Sequence, residues 1–513
     1  MKMMKTKNLI LFLFIAMTAS AQKQFTLEDL NFGGNNYHNM VPKNRYTAWW
    51  GDELIRTDYD HCSLIDKKTG KESLLFTVET LNNHGCQTTD GRKLNSLYNA
   101  TFPYPDQPLV LISNGIDRIL FDWKQQKCIW SQPCIGETHA EWNAVSRAVA
   151  FVKDHNLYLT DAKGKTHQLT TDGSRDIVYG QVVNRDEFGI YKGTFWSNDG
   201  QKLAFYRMDQ SMVTDYPLVD INTRIAMLQP EKYPMAGEPI HQVKMGVYDL
   251  KTGRTIYLNT GDPTDRYFTN ICWSPDNQLI YLIELNRKQT DFSLDAYDAT
   301  TGNRVSTLYR EHSDKYVHPV NPITFLPWDA SKFVLQSEKD GFKHLYLFNI
   351  KGRQLKQLTA GKWLVLDLMG FNRTRKEAII LSNECNPIQN NLFAVSVQTG
   401  KRRLLDNGKG CHANINEPDR GHKLALSPMG NWIIDNFTTP DIPRNIDIIN
   451  VATGKSLSYF KAEDPWLGYQ VPEYLCGTIK AADGKTDLLL KHLSTAMSGA
   501  YYYAPSVERL QDL

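Results

Sequence analysis

Trp273-Ser274-Pro275-Asp276-Asn277 runs into Leu279-Ile280-Tyr281-Leu282, then into Ala296-Tyr297-Asp298 and a turn glycine, Gly302. A Trp or apolar residue, a polar turn, an alternating strand, a second strand ending in aspartate and a Gly turn make one unit, and the unit recurs. Trp196-Ser197-Asn198-Asp199-Gly200 opens into Lys202-Leu203-Ala204-Phe205 and closes at Val247-Tyr248-Asp249 and Gly253. Leu426-Ser427-Pro428-Met429-Gly430 opens into Trp432-Ile433-Ile434, and weaker copies start at Trp142-Asn143 and Trp328-Asp329. The apolar residues alternate with period two, the period of strands and not of a helical repeat.

The turn glycines act as a ruler. Gly253, Gly302, Gly352, Gly400 and Gly454 lie 49, 50, 48 and 54 residues apart. Gly70, a mark without glycine near Lys124-Gln125, and Gly164 precede them, which makes eight. A β-rich unit of about 40–50 residues is the signature of a propeller blade. One small sheet cannot bury both faces alone; a closed ring gives each sheet two neighbours and protects its edges. The expectation is therefore an all-β, eight-bladed β-propeller over 22–462. Gly164 to Gly253 spans 89 residues, so one unit carries an insertion, 206–242. Its Tyr216-Pro217, Gln229-Pro230, Tyr233-Pro234 and Glu238-Pro239 pairs predict an extended arm off the blade, either a long loop or a contact arm for a partner subunit. Beyond Ala462 the blade pattern stops. Tyr474 to Leu490 reads as a hairpin turning at Ala482-Asp483-Gly484, so 463–513 is expected to begin another domain.

The chain has 513 residues, with 58 Lys+Arg against 56 Asp+Glu. That balance lacks the basic surplus of a nucleic-acid protein. Lys2, Lys5 and Lys7, the apolar run Leu9 to Met17 and Ala19-Ser20-Ala21 predict a signal peptide over 1–21. Export to the periplasm, the cell envelope or the medium follows, and no later apolar run is long enough to predict a membrane span in the mature chain. Eight cysteines contain no C-x-x-C, so neither a zinc ribbon nor a thioredoxin-type motif is expected. Cys128 and Cys134 are close enough in sequence for a local bridge; alternatively the cysteines are small buried hydrophobes.

The chain has no G-x-S-x-G, no glycine-rich phosphate loop and no H-E-x-x-H. No catalytic residue, metal or cofactor is therefore assigned. The sharpest local feature is Asn184-Arg185-Asp186-Glu187-Phe188-Gly189, which opens the blade that carries the arm. Asp186 and Glu187 are candidate binding residues, able to clamp a cation such as a peptide's α-ammonium. The plain alternative is a solvated acidic turn with Arg185 as its ion pair. Arg207-Met208-Asp209 reads either as a strand-end ion pair or as part of the tunnel mouth.

Five segments together resemble the N-terminal propeller of the dipeptidyl peptidase IV family, the prolyl-specific serine exopeptidases, most of all its exported bacterial members. They are Asp176-Ile177-Val178-Tyr179, Asp186-Glu187-Phe188-Gly189-Ile190, Lys192 to Ser197, Phe205 to Asp209, and Tyr233-Pro234-Met235-Ala236-Gly237. The resemblance implies a propeller that caps an α/β-hydrolase domain, with the active site between them. It also implies a glutamate pair that binds the substrate's N-terminal ammonium, so that two residues are counted before a Pro or Ala. Asp186 and Glu187 are the matching positions, and peptides with a free N-terminus are the implied partners. Residues 206–242 look like the arm through which family members dimerise, which implies a homodimer.

Two departures stand out. The arginine that assists the substrate carbonyl in the family has no counterpart in 101–117, where Arg118 is the nearest. The hairpin Gly477 to Leu490 resembles the start of the hydrolase domain, but the tail from Lys491 to Leu513 does not, so the triad and the oxyanion tyrosine have no counterparts. A truncated or frame-shifted product, inactive as a peptidase by itself, is the expectation. Two functions are carried forward: the substrate-gating half of a serine-type Xaa-Pro dipeptidyl peptidase, and a non-catalytic exported propeller that binds peptides or an envelope protein. A glycosidase or lyase would want a second acid cluster across the tunnel, and none stands out.

Overall fold

The strand Lys202–Asp209 shows how the repeat folds. Leu203 and Phe205 turn to one face and pack with Ala150 and Leu157 of the preceding sheet. Ala204, Tyr206 and Met208 turn to the other and pack with Phe268, Trp273 and Ile280 of the following sheet. Successive side chains of a strand point to opposite faces, so a strand apolar on both faces needs a partner on each side. The computed structural model describes residues 22–494 except 87, 89, 135, 414–421 and 472; the expected signal peptide, 1–21, and the tail 495–513 lie outside the described residues.

Eight antiparallel sheets follow one another along the chain, at 46–77, 109–133, 138–168, 177–257, 266–312, 324–357, 365–404 and 432–461, as the eight blades of a β-propeller. The core lies between blades: Leu326, Val334 and Leu347 of the sixth meet Val365, Phe371 and Ile380 of the seventh, for example. The ruler of the sequence falls in the turn joining the last two strands of each blade. Gly70, Gly164, Gly253, Gly302, Gly352, Gly400 and Gly454 take positive φ there, and Gln126 (φ 52) does so in the second blade, the mark without a glycine. At Gly352 a Cβ would also stand 2.1 Å from the Leu308 carbonyl of the preceding blade.

Indole N–H groups stitch first strands together. Trp196 Nε1 donates to the Glu141 carbonyl (3.4 Å) and Trp273 Nε1 to the Phe195 carbonyl (3.0 Å). Among the described residues the first and last blades share no strand; side chains close the ring. Trp49 Nε1 donates to the Leu424 carbonyl (3.0 Å), Asp52 accepts from the Met429 amide (3.0 Å) and Asn431 Nδ2 (2.7 Å), and the Tyr459 hydroxyl donates to Glu72 (2.6 Å).

The fourth blade departs from the pattern. Its first strand is broken: Ile177–Tyr179 and Thr194–Trp196 pair with two stretches of the same neighbour, Lys202–Asp209, and 180–193 is looped out between them. The arm is a two-stranded ribbon, Asp215–Asp220 against Met227–Lys232, with Pro217 opposite Pro230. In a two-stranded ribbon every strand is an edge, where proline costs no ladder bond.

The described residues 22–44, 438–445 and 460–494 form a second compact unit, distinct from 45–437 with 446–459. In it Phe25 stacks on Tyr469 (4.7 Å) and meets Trp466 edge-on (5.6 Å), while Trp466 Nε1 donates to the Met40 carbonyl (3.0 Å). Glu473–Lys480 pairs with Asp487–Ser494 as an antiparallel hairpin. No helix among the described residues is long and apolar enough to cross a membrane.

The local Cys128–Cys134 bridge does not survive the geometry. Cys128 lies on the strand Lys127–Pro133 and Cys134 directly follows it. Six positions of extended chain span about 20 Å, whereas bridged Cα atoms lie within about 7 Å.

Asp52 satisfies two donors across the closing seam, so Asp52→Ala is expected to destabilise the propeller by about 1–3 kcal/mol, read as a lower Tm in calorimetry. Asp52→Asn, which keeps an acceptor, recovers part of the loss.

Candidate functional site

The looped-out segment 180–193 turns sharply at 184–189. Asn184, Arg185, Asp186 and Phe188 all hold positive φ, at 52°, 60°, 67° and 57°. Each such residue is disfavoured by about 1–2 kcal/mol, and strain of this kind persists only where the surroundings impose it. Two anchors impose it here. Phe188 is buried in the cluster between the fifth and sixth blades, 4.7 Å from the Tyr267 ring centre, and its carbonyl accepts from Thr269 Oγ1 (2.6 Å). Gly189 (φ 75°) sits where a Cβ would stand 2.1 Å from the Val320 carbonyl. Pinning Phe188 inward leaves the two preceding acids, Asp186 and Glu187, exposed to solvent.

Neither carboxylate has a hydrogen-bond donor or cation among the described residues. Arg185, the ion pair expected within the acidic turn, goes elsewhere. Its guanidinium meets Glu231 of the arm (3.4 Å) and lies over the Tyr233 ring, 5.2 Å from the centre. The two acids also part company. Asp186 lines a pocket of about 450 Å³ toward the arm, with Arg175, His155, Gln210, Glu231 and Lys232. Glu187 lines a second pocket, of about 420 Å³, with Tyr233, Pro234, Met235, Tyr267 and Arg287. The sequence places both acids on one turn; the fold has each line a different one of two adjoining pockets.

Asn184, Arg185 and His241 border both pockets. Asn184 is 4% exposed, and neither atom of its carboxamide has a partner among the described residues. A buried polar group left unpaired costs about 1–3 kcal/mol, a sign of a role other than stability. His241 is 2% exposed; burial, and then the charge of Arg185, hold its imidazole down at about 4. Burial pushes the Tyr267 phenol up, with Asp265 and Glu187 adding to the rise and Arg287 opposing it, so Glu187 is within electrostatic reach of that ring.

The arm is also tied down at its base and to the residues that precede Ile177–Tyr179. Arg175 donates to Asp215 (2.6 Å) and to the Pro230 carbonyl (3.0 Å), and Lys232 Nζ donates to the Val213 carbonyl (2.9 Å). Arg207 resolves as a structural pair: its Nε donates to the Tyr179 hydroxyl (3.1 Å), which donates to Asp172 (2.7 Å). Arg118 lies buried in the second blade, 2.7 Å from Glu137, and lines neither pocket. The arginines that do are Arg175, Arg185 and Arg287. No motif marked Arg175, Arg287, Tyr267 or His241 in the sequence, because each reaches the turn from a different element.

A family model described as the dipeptidyl peptidase IV (DPP IV) N-terminal region matches residues 120–444. A probable dipeptidyl-aminopeptidase B of Emericella nidulans is 26% identical over 387 residues, 66% of this chain and 42% of the relative. Inactive dipeptidyl peptidase 10 of Mus musculus is 23% identical over 432 residues, 77% of this chain and 51% of the relative. The chain thus spans about half, or less, of the length of these curated relatives. The crystal structure of a putative dipeptidyl aminopeptidase IV from Bacteroides ovatus superposes with a TM-score of 0.82 at 40% identity, over 92% of this chain and 67% of that one. Porphyromonas gingivalis dipeptidyl peptidase 4 shares the fold, with a TM-score of 0.71 at 19% identity over 92% of this chain and 67% of that one.

His241 carries a prediction with a definite sign. Its folded pKa of about 4 lies below the ordinary 6.5, so the unfolded chain takes up the proton first. Stability is then complete above about pH 6.5 and falls as pH drops toward 4. Thermal melts between those limits should show Tm falling less steeply for His241→Gln than for the wild-type chain.

Proposed function

The chain belongs to the dipeptidyl peptidase IV family, whose N-terminal propeller region it carries, and on that footing we propose that the turn at 184–189 receives the free amino end of a peptide. Glu187 is the main acceptor of the α-ammonium and Asp186 the second carboxylate. The observation that carries this reading is a pair of exposed acids, held on a strained turn, whose carboxylates make no ion pair or hydrogen bond among the described residues. The Tyr233 and Tyr267 rings line the pocket of Glu187, and aromatic faces attract ammonium groups. Peptides with a free N-terminus and proline as the second residue are the substrate class. The propeller contributes positioning: by fixing the amino end it fixes which peptide bond is presented, which lowers the entropic cost of reaction. Bond cleavage itself needs a nucleophile, a base and oxyanion donors, and no residue of this chain is assigned to them. Export through the leader at 1–21 would bring the propeller to extracellular peptides.

Calorimetric titration with a Gly-Pro-initiated peptide tests the reading. N-acetylation of the peptide and Glu187→Gln are each expected to weaken binding about tenfold or more, the loss of a charge-assisted hydrogen bond, with a smaller loss for Asp186→Asn. Equal binding of the free and acetylated peptides would overturn it.

The arm supports a second proposal, that it seats another copy of this chain. Ile221 and Ile225 at its tip are 80% and 81% exposed, and Leu228 and Met227 beside them are also bare; exposed apolar patches of this kind mark association sites. Light scattering should report a dimer that Ile221→Glu with Ile225→Glu converts to monomer, whereas a wild-type monomer at micromolar concentration would refute the proposal.

A further inference from the structure

We propose that Cys86 and Cys128 form a disulfide that ties the connection between the first two blades to the last strand of the second. Cys86 follows the helix Val78–Asn83 and is fully buried, its amide donating to the Leu81 carbonyl (3.1 Å). Cys128 lies on the strand Lys127–Pro133, opposite Phe121 beside a bulge. Both pack into one apolar cluster with Phe76, Phe102, Phe121 and Trp123. Within it the two thiols neighbour one another closely enough to shift each other's ionisation, and the Cys128 thiol donates to the Trp130 carbonyl (3.7 Å). Two cysteines 42 positions apart in sequence, packed in one apolar cluster by backbones of different elements, are placed for a bridge.

The pair is also asymmetric in the way thiol exchange needs. Cys128 is only partly buried, so an oxidant reaches it first. The neighbouring Cys86 thiol favours its thiolate and lowers its pKa to about 7, while Cys86 is pushed up. Cys62, the third thiol of the same cluster, is pushed up to about 12 by burial and remains a thiol. With glutathione disulfide as oxidant, the Cys128 thiolate attacks one sulfur, forming a mixed disulfide and releasing one glutathione. Cys86 then gives its proton to solvent and attacks Cys128 Sγ, releasing the second glutathione. The balance is one protein dithiol and one glutathione disulfide going to one protein disulfide and two glutathiones.

The bridge closes a loop of about 40 residues and so restricts the unfolded chain, which corresponds to a rise of roughly 5 °C in Tm for a propeller of this size. The test is made on the full chain, equilibrated with glutathione disulfide, alkylated under denaturing conditions and mapped by mass spectrometry. A cross-linked peptide containing Cys86 and Cys128, abolished by reduction, is the expected result. In melts, a reductant should lower the Tm of the wild-type chain and of Cys134→Ser but leave Cys86→Ser and Cys128→Ser unmoved. Alkylation of both thiols in the oxidised wild-type chain, or a bridge joining either of them to Cys62 or Cys134, would overturn the proposal even if a variant failed to fold.

Discussion

A blade buries both of its faces only when another blade stands on each side, so the whole propeller depends on the ring being closed. In this chain the closing seam is made by side chains. Trp49, Asp52 and Glu72 of the first blade reach Leu424, Met429, Asn431 and Tyr459 at the last. Arg45 and Arg56 hold the Glu72 carboxylate from its own side, at 2.6 and 2.9 Å. The seam repeats a device used elsewhere around the ring, where Asn198 of the fourth blade bonds the Ser274 carbonyl and Asn277 of the fifth. Each contact contributes about 1 kcal/mol, so closure rests on a set of modest polar contacts laid over interblade apolar packing.

The same constraint produces the candidate site. Both faces of the fourth blade must stay covered, so its first strand is interrupted without giving up its pairing partner, and fourteen residues, 180–193, leave the sheet between two short paired segments. Phe188 returns into the neighbouring core, and burial of a phenylalanine is worth about 2–3 kcal/mol. That gain offsets part of the strain in the left-handed residues around it. With Phe188 inward and Gly189 packed against the Val320 carbonyl, Asp186 and Glu187 have nowhere to turn but outward. The arm then draws Arg185 away toward Glu231 and Tyr233. The acids are thereby left uncompensated, and the turn and the arm become parts of one electrostatic unit.

Much of this was legible in the residues. The glycine ruler falls in the matching turn of all eight blades, and even the mark lacking glycine corresponds to a left-handed residue, Gln126. The Trp-led turns sit at the seams. Asp186 and Glu187 were visible as adjacent acids at a blade opening. Other features needed the structure. Arg185, the ion pair of the plain alternative, serves the arm instead, and of the two readings of Arg207 the ion pair holds, with Tyr179 and Asp172. Cys128 and Cys134 looked like neighbours, but an extended strand separates what sequence places close.

What the sequence by itself determined is what period and local chemistry can carry: eight strand-rich units, their turns, an arm rich in proline and a turn rich in acid. Backbone propensity, alternation and turn chemistry act over a few residues, so they are written where they act. Only the tertiary structure decided that the paired acids line separate pockets, that Tyr233, Tyr267 and His241 border them, and that Cys86 and Cys128 share one apolar cluster. Those contacts join residues tens of positions apart, and they exist only once every blade has found the neighbour that covers its faces.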